Sequence, residues 1–131
     1  GALDEYQRAL ARYPNYAAAH YNGGLCYWSL QQYERAIEAY GRALELRPQY
    51  ARAWLNMGAA HHALGALEEA AAAYVRAIEV RPDYAEAWEN LGHTYRELGD
   101  RERAIVAYRE FLRLRPGHDR RMEYEAWIEG R

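Results

Sequence analysis

The chain has 131 residues, half of them apolar, a formal net charge of −2 and one cysteine. That length suits one ordinary domain with its own core. The slight negative charge argues against a general binder of nucleic acid or of anionic membranes, since both need excess positive charge on one face, and a lone Cys26 permits neither an internal disulfide nor a cysteine metal cluster.

Residues 1–13 read as a helix, with apolar Leu3, Tyr6, Ala9 and Leu10 on one face. Pro14 ends it, because the residue before a proline is pushed out of the helical region. Tyr50-Ala51-Arg52-Ala53-Trp54-Leu55-Asn56-Met57-Gly58 follows, and recurs 34 residues later as Tyr84-Ala85-Glu86-Ala87-Trp88-Glu89-Asn90-Leu91-Gly92. It also stands 34 residues earlier as Tyr16-Ala17-Ala18-Ala19-His20-Tyr21-Asn22-Gly23-Gly24, and Pro14, Pro48, Pro82 and Pro116 keep the same step. Such a period fixes the architecture before any residue is read for function. It divides the chain into the second half of a truncated unit (1–14), three full units (17–50, 51–84 and 85–118) and a closing helix (119–129). That helix is expected to cap the array, with Met122, Ala126, Trp127 and Ile128 turned inward.

Each full unit carries two helical patterns around a short turn. Gly65 and Gly99 supply the left-handed residue that ends a helix cheaply. Gln31 stands there in the first unit, which predicts a tighter or strained turn. Gly24, Gly58 and Gly92 share one position, and Ala36, Ala70 and Ala104 another. Small residues there let paired helices approach closely, so Gly58→Leu is expected to overpack the contact and cost about 1–3 kcal/mol, read as a lowered melting temperature.

Trp54, Gly58, Leu64-Gly65, Ala70, Tyr74, Ala77 and Pro82 resemble a tetratricopeptide repeat. So do Trp88, Gly92, Tyr95, Leu98-Gly99, Ala104, Tyr108 and Pro116. The first unit departs at His20, Gly23 and Gln31 but keeps Gly24, Tyr27, Ala36, Tyr40, Ala43 and Pro48. The resemblance covers residues 1–118. It implies an all-α, right-handed superhelical α-solenoid of helix–turn–helix repeats. The first helix of each unit would line a concave groove that binds peptides.

On a helical wheel the packed face of the second unit's first helix holds Ala53, Trp54, Met57, Gly58, Ala60, His61 and Leu64. The opposite positions are expected to face the groove. They are Ala18, Tyr21, Asn22, Leu25, Trp28 and Ser29, then Arg52, Leu55, Asn56, Ala59, His62 and Ala63, then Glu86, Glu89, Asn90, His93, Arg96 and Glu97. Only Asn22, Asn56 and Asn90 are identical across the units. Asparagine is a poor helix former, but its amide can pair with both the N–H and the C=O of an extended peptide. The three would form a ladder similar to those of some peptide-binding members of the family, unless they only bond a neighbouring loop. Tyr21, Leu25 and Trp28 make an aromatic, apolar start to the groove, of the kind that marks a binding surface, unless an upstream unit covers it. Glu86, Glu89 and Glu97 against Arg96 suit a basic ligand residue, unless the Glu89–His93 and His93–Glu97 pairs only solvate the helix. Chaperone-binding members clamp a C-terminal carboxylate with Lys, Asn and Arg. The matching places here carry Tyr21, Leu25, Asn56, Glu86 and Asn90, so an acidic Glu-Glu-Val-Asp-type tail is not expected.

No catalytic or cofactor chemistry is expected. His61 and His62 diverge on the helix, and His62, His93 and Glu89 lack a metal-binding spacing. No Ser or Cys has a base and an orienting group, and Cys26 is expected beside the packed face as a small hydrophobe. No run approaches the ~18 apolar residues of a membrane span, and no secretory signal opens the chain. A cytoplasmic location is the expectation, with an upstream leader left open. Ile128-Glu129-Gly130-Arg131 also spell a protease-cleavage tag and are kept out of the functional argument.

The expectation is therefore a scaffold that binds an extended segment of a partner protein, with no nucleic acid and no membrane insertion. The alternatives are an assembly module that forms homo-oligomers through Leu3, Tyr6 and Leu10 on its end helix, and the targeting domain of a larger enzyme.

Overall fold

A computed structural model describes residues 1–130; Arg131, the last residue of the tag-like sequence, lies outside the described residues. The order is α1 (Ala2–Arg12), α2 (Ala17–Ser29), α3 (Tyr33–Leu46), α4 (Ala51–Ala63), α5 (Leu67–Val80), α6 (Ala85–Glu97), α7 (Arg101–Leu114) and α8 (Arg121–Ile128). Helices α2–α3, α4–α5 and α6–α7 pack as antiparallel pairs, and each second helix also packs on the following first helix. The result is an α-solenoid with a core running along its length rather than a single centre.

The turn inside each pair has one backbone conformation. Gly65 and Gly99 take φ values of 76° and 80°, and Gln31 takes 58°. The hydrogen bonds match as well. Gly65 N–H donates to the His62 carbonyl, Gly99 N–H to Arg96 and Gln31 N–H to Trp28. The first turn is thus not tighter but strained, since a side chain at positive φ crowds its own backbone.

The recurrent glycines make room for a side chain rather than for bare backbone. Tyr40, Tyr74 and Tyr108 recur on the second helices and lay their rings over Gly24, Gly58 and Gly92. A Cβ on Gly58 would stand 2.6 Å from the Tyr74 ring, and one on Gly92 2.7 Å from the Tyr108 ring. All three tyrosines are buried, as are Ala36, Ala70 and Ala104. Gly23 follows the same logic across a unit boundary, because the ring of Tyr6 from α1 occupies the space its side chain would need.

A second recurrent contact ties each first helix to the proline before it. Trp54 Nε1–H donates to the Pro48 carbonyl and Trp88 Nε1–H to Pro82, both at 2.9 Å. His20 makes the same bond to Pro14 at 2.9 Å through Nε2. A carbonyl only accepts, so Nε2 carries the proton and the buried Nδ1 has no partner. The replacement of Trp by His therefore keeps the contact. At the fourth proline Arg121 donates to the Pro116 carbonyl at 2.9 Å instead.

Helix α8 docks differently from expectation. Met122 is 82% exposed, and Tyr124 is the fully buried residue; Ala126, Trp127 and Ile128 are half-buried. The helix begins at Arg121 and turns Tyr124 inward, where its ring stacks on Tyr108 at a centroid distance of 4.6 Å. Leu64, expected on the packed face, is exposed because it is the C-cap of α4. No helix is long and apolar enough to cross a membrane among the described residues.

Candidate functional site

The first helices α2, α4 and α6 present side chains to a common cleft of about 710 Å³. Trp28 comes from α2, Ala59, His62 and Ala63 from α4, and Asn90, His93, Arg96 and Glu97 from α6. All eight stand at positions expected to face the groove. Leu25, Asn22, Arg52 and Glu86 are exposed on the same set of helices, and Asn56 and Glu89 are half-buried.

Two expected groove residues do not belong to the open face. Tyr21 is 6% exposed and Leu55 is 5% exposed. Tyr21 packs against Tyr50 at 4.8 Å and Tyr40 at 5.8 Å. Leu55 joins a cluster with Ala87 and Leu91 of the next first helix. A wheel drawn against one partner helix splits the surface into two halves. In the array each first helix also abuts the next unit, and that contact claims the position of Tyr21 and Leu55.

The asparagines have different surroundings. Asn56 Nδ2 donates to the Tyr21 hydroxyl at 2.8 Å, which reaches one unit back. Leu55 stands at the corresponding place before Asn90 and offers no acceptor, and Asn90 lines the cleft. The Asn90 backbone carbonyl accepts from buried Thr94 Oγ1 at 2.8 Å. Tyr124 lies one period after Asn90 and uses the same reach, donating its hydroxyl to Glu89 Oε2.

That bond closes a polar chain. The hydroxyl proton of Tyr124 goes to Glu89, so His93 Nε2–H must donate to the Tyr124 oxygen, at 3.2 Å. His93 Nδ1 then accepts from the Tyr108 hydroxyl at 2.7 Å. Burial holds the His93 pKa below the ordinary value of 6.5, against the opposing pull of Glu89, which keeps the ring neutral as this arrangement requires. Burial, then the bond to Glu89, push the Tyr124 hydroxyl up to about 12. Arg96 stacks its guanidinium over Trp127 at 4.8 Å, and Arg101 does so from the other helix at 4.6 Å. Arg101 also donates to the Trp127 and Ile128 carbonyls, each at 2.9 Å, where a cation suits a helix C-terminus.

His62 and Glu97 meet across α4 and α6 at 2.8 Å. No three His, Cys, Asp or Glu side chains gather as a metal site among the described residues. Tyr74 and Thr94 also line the cleft, outside the positions expected to face it. The recurrence of Tyr40, Tyr74 and Tyr108 at the period of the glycines was the signal for Tyr74. Nothing in the sequence pointed to Thr94.

Sequence profiles of the tetratricopeptide repeat match residues 1–44 and 85–118, and a profile described as TPR repeat matches residues 24–65 and 61–99. Among curated proteins none matches the chain significantly. Solved structures share the fold. The crystal structure of MamA protein is 27% identical, with 98% of this chain and 68% of that one covered and a TM-score of 0.88. The Arabidopsis OM64 TPR domain is 19% identical, with 87% and 94% covered and a TM-score of 0.80. The first TPR of Spaghetti (RPAP3), solved bound to the HSP90 peptide SRMEEVD, is 21% identical, with 87% and 88% covered and a TM-score of 0.78. The architecture is thus the all-α superhelical solenoid, and with one profile spanning more than half its length the chain belongs to the tetratricopeptide repeat family.

Proposed function

We propose that this module is a protein-interaction scaffold whose face formed by α2, α4 and α6 holds an extended segment of a partner protein. The observation that carries the reading is the cleft itself, since its lining comes from three successive first helices. A ligand must therefore run across the units, as an extended chain does. Asn90 and the exposed Asn22 have amides available to hold a peptide backbone, and Asn56 keeps one N–H and its carbonyl after bonding Tyr21. The peptide-bound neighbour supports the same use of the fold, but its acidic ligand is not carried over, because Glu86 would repel a carboxylate.

The test is a peptide-library screen against the wild type, Asn90→Ala and the triple replacement of Asn22, Asn56 and Asn90 by Ala. Losing one backbone-directed amide should weaken binders about tenfold, as expected for a hydrogen bond of ~1–1.5 kcal/mol. Binding indifferent to the triple variant would end the groove reading.

One observation favours a second reading, self-association through α1. That helix has no buried residue, and its contact with α2 leaves Leu3, Tyr6 and Leu10 only partly covered. Light scattering showing a monomer at every concentration removes it.

A further inference from the structure

We propose that the bound segment carries a bulky apolar side chain and, about three residues away, an arginine or lysine whose charge is met by Glu97. This rests on the peptide-binding reading above. The apolar half of the cleft is built around Trp28, which is 37% exposed. Tyr33 braces its indole edge-on at 5.1 Å, and Ala59 and Ala63 line the cleft with it. An indole beside two methyl groups leaves a notch for a large apolar side chain, whose burial there removes apolar area from water on both sides.

The polar half has one carboxylate that is held by a histidine side chain rather than by an arginine. Glu97 is about half exposed, and its partner at 2.8 Å is the His62 ring. The other charges on this end are engaged. The Arg96 guanidinium lies over Trp127, and Glu89 accepts the Tyr124 hydroxyl. Arg52 and Glu86 sit at the outer edge and act in opposite senses on both Tyr21 and Tyr84. On the cleft floor, burial first and then Glu86 and Glu97 push the Tyr74 hydroxyl pKa up, so these two carboxylates add negative potential at that point. A ligand guanidinium would displace His62 and pair with Glu97, whereas a carboxylate at the same place would meet Glu97 as a like charge.

Geometry sets the spacing. The notch lies between α2 and α4, and Glu97 reaches His62 between α4 and α6. Successive first helices lie side by side, one helix diameter of about 10–12 Å apart. An extended chain advances ~3.3 Å per residue, so one helix step takes about three residues.

The experiment is a positional-scanning library of short N-acetylated, C-amidated peptides, scored for affinity. Selected peptides should pair Trp, Phe or Leu with Arg or Lys about three residues apart. Glu97→Gln should cost the arginine peptide about tenfold, as for a charge-assisted hydrogen bond, while leaving a glutamine analogue unchanged. Glu97→Arg should select Glu at that place, and Trp28→Ala should lose the apolar preference but keep the basic one. Asn90-dependent binding that selects acidic residues, ignores charge, or keeps its arginine preference in Glu97→Gln overturns this inference and leaves the scaffold reading standing. A library with no groove-dependent binder overturns both.

Discussion

The first and third repeats share one backbone and close it with different chemistry. In the first, His20 stands for Trp, Gln31 for Gly, and the Tyr40 hydroxyl is buried with no partner. In the third, Trp88 bonds Pro82, Gly99 turns without strain, and the Tyr108 hydroxyl bonds His93. The ends differ in the same sense. Helix α1 buries nothing completely, whereas α8 drives Tyr124 into the polar chain. Asp100 also caps α7 by accepting from the Arg103 N–H at 3.1 Å, and the corresponding Gln32 and Ala66 make no such bond. A repeat fold thus needs only its glycines, alanines and tyrosines in register. The polar contacts should then set how firmly each unit is held, in favour of the C-terminal end.

The sharpest break of this contrast is Tyr124→Ala, which should cost about 3–5 kcal/mol as for other large buried side chains. Hydrogen exchange should show the loss centred on α6, α7 and α8, and the same change at half-buried Tyr6 should cost less. Next come the paired hydroxyl deletions. Tyr108→Phe leaves a half-buried His93 nitrogen without its donor and should cost about 1–3 kcal/mol in urea unfolding. Tyr40→Phe removes an unpartnered hydroxyl and should be neutral or stabilising by up to ~1 kcal/mol. Equal losses at both positions would erase the distinction. The turns should respond with opposite signs. Gln31→Gly should gain about 1 kcal/mol by relieving the left-handed strain, and Gly99→Gln should lose a similar amount. The smallest effect is in pH. The folded pKa of His93 lies below the ordinary 6.5, so its contribution is complete above 6.5 and is lost as the pH falls from there through the lower folded value. Melting temperature should drop on acidification less steeply in His93→Gln than in the wild type.

Much of the fold is legible in the sequence because a repeat prints its constraints several times over. Gly24, Gly58 and Gly92 announce a close approach, and the prolines announce where second helices end. The partner of the glycines, the tyrosine ring, was equally periodic, yet its hydroxyl is not: the same residue ends in a void of partners, in a cleft and on a histidine. The candidate groove was readable to the extent that a wheel can tell the inside of a helix pair from its outside. Tyr21 and Leu55 fell on the wrong side of that line because they face the neighbouring unit.

The sequence by itself determined the period, the helix pairs, the turns and the residues that seal each pair, since all of these are local within one 34-residue unit. Only the tertiary structure decided which outward residues remain open. That depends on how far one unit rotates against the next, a property of the stacked rings, glycines and alanines taken together. The same rotation brings Asn56 to Tyr21, Glu97 to His62 and Tyr124 to Glu89. Each pair lies 35 residues apart, one step beyond the period, and side chains one residue out of register meet only because the superhelix turns.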